Sequence, residues 1–223
     1  MPTTLITGAN RGIGLALTRE FLANGHDVIA TARDPGSADA LNATGATVMA
    51  LDVADPASIA ALKAELGDKP IDYLINNAGV GSRAGFEALE FDQFERILQV
   101  NTISPLRVIA AFADNVAASG TKKIANLSSI MGSIENTTAS YGLAYRTSKA
   151  GLNMALRAAA PELAGRGITL LALHPGWVQT DMGGSSAPVK PEESAAGLFK
   201  VITGTENAAE LRFFDFEGNA LPW

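Results

Sequence analysis

The chain has 223 residues, 47% of them hydrophobic, no cysteine and a formal net charge of −6. That length allows one large domain or two small ones, and the lack of cysteine excludes disulfides, thiolate zinc sites and cysteine nucleophiles. The acidic balance, with no basic block, argues against nucleic acid as the main partner, and no run of about 18 apolar residues exists to cross a bilayer.

The opening MPTTLITGAN has no basic region ahead of an apolar stretch, so a secretory signal is not expected and a cytoplasmic location is. The β-rich run 3–7 predicts a first strand. It leads straight into Thr7-Gly8-Ala9-Asn10-Arg11-Gly12-Ile13-Gly14, with glycines spaced G-x-x-x-G-x-G rather than G-x-G-x-x-G. The physical requirement is the same: a tight turn leaves the strand, backbone approaches a pyrophosphate, and the next helix, expected over 12–24, points its N-terminus at the negative charge. A second strand over 27–31 ends at Thr31-Ala32-Arg33-Asp34. An enzyme using NAD places a carboxylate there for the ribose 2′-hydroxyl. Here Ala32 is neutral and Arg33 follows, with Arg11 in the glycine loop. Two guanidiniums suit a 2′-phosphate, so NADPH is expected rather than NAD, with Asp34 as the competing ribose ligand.

A short helix near 36–44 precedes a strand over 46–51, which ends in Leu51-Asp52-Val53. A helix over 56–66 and a strand over 71–76 lead to Asn76-Asn77-Ala78-Gly79. Helices follow at 91–100 and 103–118, with Pro105 in the first turn of the second, where proline is tolerated. A strand over 122–128 carries Asn126-Leu127-Ser128-Ser129, and a helix over 144–164 carries Tyr145 and Lys149. Pro161 should bend or end that helix. A strand over 168–174 precedes Pro175-Gly176-Trp177-Val178-Gln179-Thr180. The segment 181–190, with Gly183 and Gly184, reads as a mobile lid over the substrate. A helix over 191–203 and a strand over 211–216 complete the chain. The two histidines lack H-x-x-x-H spacing, so no metal site is expected; His26 reads as a surface-turn residue and His174 as a strand end.

Most of these strands are continuous apolar runs, as in sheets buried on both faces. Their alternation with helices predicts α/β architecture: one doubly wound Rossmann domain over 1–223, with a seven-stranded parallel sheet flanked by helices.

Tyr145 and Lys149 stand four residues apart, on one face of a helix. A fixed ammonium beside a phenol favours the phenolate; a shift of ~3 units, worth roughly 4 kcal/mol, would bring a tyrosine near physiological pH. Alone, Y-x-x-x-K equally describes a surface pair. Taken with the six other ordered motifs, Val100-Asn101-Thr102 among them, it makes the chain resemble the short-chain dehydrogenase/reductase family, and the stretches SYGLAYRTSKAGLN and FFDFEGNALPW resemble the branch of C-factor and Sniffer-like carbonyl reductases.

The resemblance implies these roles. Tyr145 is the general acid in carbonyl reduction, Lys149 lowers its pKa and holds the nicotinamide ribose, Ser129 orients the carbonyl, and Asn101, from Val100-Asn101-Thr102, holds a water in a proton relay. Asp52 and Val53 contact adenine, Asn76, Asn77, Ala78 and Gly79 line the adenosine side, Val178 and Thr180 meet the carboxamide, and Pro175 and Gly176 join the cofactor-binding set. The interval from Ser129 to Tyr145 is 16 residues, a few more than is common in the family, which leaves Ser128 as a rival to Ser129. The substrate expected is a small or medium aldehyde, ketone or quinone, beside Met131, Trp177 and Met182. A dinucleotide-binding sensor or signalling protein with little turnover is the alternative, and a purely structural protein would have no use for the glycine loop. Small residues on two helices, Ala110, Ala111, Ala158 and Ala159, together with the family habit, imply a homodimer or tetramer.

Overall fold

The computed structural model describes residues 1–223. Seven strands form one parallel sheet in the order β3-β2-β1-β4-β5-β6-β7. They are β1 (Thr3–Ile6), β2 (Asp27–Ala32), β3 (Thr47–Ala50), β4 (Tyr73–Asn76), β5 (Lys123–Leu127), β6 (Thr169–His174) and β7 (Arg212–Asp215). The helices are α1 (Gly12–Ala23), α2 (Asp39–Asn42), α3 (Pro56–Leu66), α4 (Phe91–Leu98), α5 (Ser104–Ala117), α6 (Leu143–Ala164) and α7 (Pro191–Gly204).

Neighbouring strand residues feed opposite faces of the sheet. Leu5, Leu74 and Ile124 pack with α3, α5 and α6 through Ile59, Phe112 and Leu156. Ile6, Ile75 and Ala125, one position later, pack with α1 and α7 through Leu17, Phe21 and Leu198. Both faces are therefore apolar, which is why the strands read as unbroken hydrophobic runs.

Three expectations shift. The helices expected at 91–100 and 103–118 are one continuous run, joined by a π-helical turn over Gln99–Ile103. The Ser104 N–H reaches back five residues to the Gln99 carbonyl. Pro105, next in line, has no N–H, so the Asn101 carbonyl loses its usual helical donor. Pro161 does not stop α6, which runs on to Ala164. The carbonyl deprived there belongs to Arg157, an exposed residue, so water can serve it. His26 is no surface residue. It is 9% exposed, its Nδ1 meets the Thr4 hydroxyl at 2.9 Å, and its ring packs among Phe21, Tyr73 and Phe199. The turn from α1 into β2 folds back over the sheet and carries the imidazole into the α1–α7 layer.

Candidate active site

The chain reverses its direction of strand addition between β1 and β4, so the loops leaving these two strands diverge and open a crevice at the carboxyl edge of the sheet. The glycine loop lines it. The Ala9 N–H donates to the Thr31 carbonyl at 2.8 Å, holding the loop against the end of β2. The Asn77 side-chain amide donates to the Thr7 and Gly8 carbonyls, both at 2.9 Å. A Cβ at Gly14 would stand 2.4 Å from the Gly8 carbonyl oxygen, so only glycine lets α1 begin against this loop. Arg11 precedes α1 without a side-chain cap, and the first turn has no acidic residue. With no side chain claiming the leading N–H groups, the cradle fits a dinucleotide pyrophosphate. Asn10 is exposed beside it, Gly12 opens the helix, and Ile13 packs on the apolar layer below.

At the end of β2, Ala32 is buried and Arg33 exposed. Asp34, the rival ribose ligand, uses its Oδ1 to accept from the Gly36 N–H at 3.0 Å and so caps the turn Pro35–Ser37. Arg11 forms an ion pair with Asp181. After β3, Asp52 Oδ1 accepts from the Ala54 N–H at 2.9 Å, and Val53, Ala78 and Val100 border a shallow crevice beside Thr7. A Cβ at Gly79 would lie 3.3 Å from Asn101 Oδ1 and 3.8 Å from Lys149 Nζ.

Lys149 is 5% exposed, its Nζ donates to the Leu127 carbonyl at 2.6 Å, and burial pulls its ammonium down to about 8. Tyr145 is half-buried one turn earlier, its ring centroid 5.8 Å from Lys149 Nζ. Burial pushes its phenol up from the ordinary value, and a hydrogen bond with the Ser129 hydroxyl pulls the other way. The expected fall of the phenol toward neutrality is therefore not seen: desolvation outweighs the hydrogen bond. The two serines face different partners. Ser128 donates to Asn153 Oδ1 at 2.6 Å, away from Tyr145, while Ser129 faces it.

Asn101 is fully buried in the π-helical turn. Its amide NH2 donates to the Val80 carbonyl at 2.8 Å and to Ser148 Oγ at 3.0 Å, and its Oδ1 accepts from the Val80 N–H at 2.9 Å. The side chain is thus occupied in bracing Val80 to α6. Ser148, which also donates to the Tyr145 carbonyl at 2.7 Å, escaped the sequence reading although it lies inside the Y-x-x-x-K motif.

The short chain dehydrogenase family pattern matches residues 2–190. The chain belongs to that family. As a short-chain dehydrogenase it is an oxidoreductase. It is 39% identical to the C-signal protein of Myxococcus xanthus over 155 residues, covering 69% of this chain and 93% of that one. The NADPH-bound carbonyl reductase from chicken fatty liver superposes with a TM-score of 0.94 at 34% identity, covering 100% of this chain and 99% of that one. Carbonyl reductase Sniffer of D. melanogaster superposes with a TM-score of 0.90 at 31% identity, over 100% of both chains.

The segment after β6 differs from a free lid. The Gln179 N–H donates to the Val189 carbonyl at 2.9 Å, Trp177 Nε1 to the Gly183 carbonyl at 2.9 Å, and Arg83 reaches the Met182 and Gly183 carbonyls at 3.4 and 3.5 Å. A Cβ at Gly183 would fall 2.0 Å from the Val178 carbonyl oxygen, so this glycine serves close packing, not freedom. Pro175 accepts from Ser194 Oγ at 2.6 Å, Gly176 lies under the Phe216 ring, and Val178 is buried. Thr180 accepts from the Gly183 N–H at 3.1 Å. Met182 packs over Gly81, while Trp177 stays 55% exposed at the rim. No helix is long and apolar enough to cross a membrane.

Proposed function

We propose that this short-chain dehydrogenase reduces a carbonyl compound, an aldehyde, ketone or quinone, to its alcohol with NADPH, and that Tyr145 is the general acid. The observation that carries this reading is the convergence of Ser129, Tyr145 and Lys149 beside an uncapped glycine-loop helix. NADPH, when bound, supplies the hydride.

The residues do the rest. The Ser129 and Tyr145 hydroxyls hold the carbonyl oxygen between them. Because burial raises the phenol, Tyr145 keeps its proton at neutral pH, as an acid must. As charge develops on the oxygen, Tyr145 gives that proton up, and the remaining phenolate is met by the Lys149 ammonium and the Ser129 hydroxyl. Lys149 is also the donor to the nicotinamide ribose. Asn101 serves the proton relay through its main-chain carbonyl, because its side chain is already occupied and Pro105, four residues on, has no N–H to give that carbonyl.

For the coenzyme, Gly8, Gly12, Gly14 and the leading N–H groups of α1 take the pyrophosphate, and Arg11 and Arg33 take the 2′-phosphate. Asp52 and Val53 meet adenine, Asn77 to Gly79 line the adenosine, and Val178 and Thr180 meet the carboxamide. The NADPH seen in the chicken carbonyl reductase supports this choice. The engagement of Asp34 Oδ1 in capping its own turn supports it independently.

The similarity to C-signal supports a second reading, a dinucleotide-binding signalling protein with little turnover. Following NADPH oxidation with a panel of aldehydes, ketones and quinones separates the two. Turnover above the no-substrate rate supports the reductase; tight NADPH binding without turnover of any panel member supports the second.

A further inference from the structure

Arg11 already has an anionic partner within the protein. The chain contains three ion pairs, and the other two, Lys63–Asp68 and Arg166–Asp114, lie outside the crevice. The Arg11–Asp181 pair alone joins the glycine loop to the segment after β6. The contact does not rest on the two charged side chains alone, because the residues next to them pack together as well. A Cβ at Gly12 would stand 3.1 Å from the Thr180 methyl group, so the residue before Asp181 rests on the residue after Arg11. The Thr180 hydroxyl accepts from the Gly183 N–H, and the Thr180 carbonyl accepts from the Gly184 N–H at 2.8 Å, fixing the turn that presents Asp181. On the other side, the Ala9–Thr31 hydrogen bond keeps the glycine loop beside the end of β2, where Arg33 emerges. Arg11 thus belongs to a loop that lies between the carboxylate it already holds and the end of β2, the strand that Arg33 follows.

We propose that Asp181 is a coenzyme-selectivity residue that competes with the 2′-phosphate of NADPH for Arg11. This rests on the reading that Arg11 serves that phosphate. A 2′-phosphate carries close to two negative charges and binds a guanidinium through two parallel hydrogen bonds, so it takes Arg11 from Asp181. The displaced carboxylate then stands near a like charge. NADH has no such phosphate and leaves the pair intact. Asp181 therefore lowers affinity for NADPH and not for NADH, and selectivity is the difference of the two. Both partners are largely exposed, at 69% and 76%, so the effect belongs to the modest class of surface ion pairs.

The test is fluorescence titration of NADPH and NADH against the wild type, Asp181→Asn, Arg11→Ala and the double variant. Asp181→Asn keeps the shape and removes the charge. It should tighten NADPH by ~2- to 5-fold and leave NADH within error. In the Arg11→Ala background the same change should have a clearly smaller effect, because no shared cation is left to release. If Asp181→Asn leaves the ratio of the two dissociation constants unchanged, or weakens both coenzymes equally, Asp181 is only a tether for its own loop and the proposal fails. The Arg11 reading fails separately: Arg11→Ala would then leave that ratio at its wild-type value.

Discussion

At the scale of single residues, the proposed chemistry rests on two neighbours whose burial pushes them in opposite directions. The Tyr145 phenol is pushed up, and the Lys149 ammonium is pulled down to about 8 yet remains mostly protonated at pH 7. Tyr145→Phe should lower the reduction rate at least ~10²-fold and leave NADPH affinity nearly unchanged, since it deletes a proton donor and little volume. Wild-type rates in that variant would dismiss Tyr145 as the acid. The coenzyme question is best asked at Arg33. Ala32 packs within the apolar layer, so a carboxylate there would be buried as well as repulsive. Arg33→Ala is the cleaner change. Loss of a charge-assisted contact, about 1.5–3 kcal/mol, predicts NADPH binding weaker by ~10-fold or more with NADH unmoved. An unchanged preference would make Arg33 a solvated surface residue. His174 offers a pH test. Its Nδ1 is buried without a partner, and burial holds the ring down to about 4, against 6.5 in the unfolded chain. Below pH 6.5 the unfolded chain takes the proton first, so stability present at pH 7 is lost as pH falls toward 4, by up to roughly 3 kcal/mol. Urea unfolding of His174→Asn should lack that share of the decline; identical pH profiles for the two proteins would show that the imidazole does not contribute.

At the scale of elements, the π-helical turn between α4 and α5 does what a regular helix could not. It sinks Asn101 fully and lets its amide bind Val80 and Ser148, while Pro105, four residues on, has no N–H to offer the Asn101 carbonyl. Pro105→Ala restores an N–H at that place. Thermal stability should hold or rise, because helical residues gain a bond, while the reduction rate should fall several-fold with little change in KM. Equal rates in both proteins would remove the carbonyl from the relay. In the segment after β6, two glycines in succession imply freedom, yet Gly183 lets the turn pack against the Val178 carbonyl.

At the scale of the molecule, the outer faces of α5 and α6 remain unaccounted for by the core. Ile103, Ala110, Met154 and Ala158 are exposed along them, with Met154 68% exposed. Ala110 and Ala158 are small enough to let helices approach closely. We propose a homodimer, or a tetramer built on it, paired through these helices about a twofold axis. Light scattering at micromolar concentration should return a multiple of 23.1 kDa, and Met154→Arg should reduce it to the monomer. A monomeric wild type would rule this assembly out.

Local patterns were enough to place every strand and the main helices, because unbroken apolar runs and helical spacing depend only on residues close in the chain. The glycine loop and the Tyr145–Lys149 pair were legible for the same reason: each is a short motif within one turn or helix. What tertiary structure alone decided involves partners far apart in sequence. The placement of α6 set Ser129, not Ser128, against Tyr145, the turn after β2 drew one oxygen of Asp34 into a cap, and the layer of α1 and α7 buried His26. Arg11 and Asp181, 170 residues apart, meet because the segment after β6, a strand separated from β1 by β4 and β5, reaches back to the glycine loop. Such contacts follow from register and packing, which no window of sequence contains.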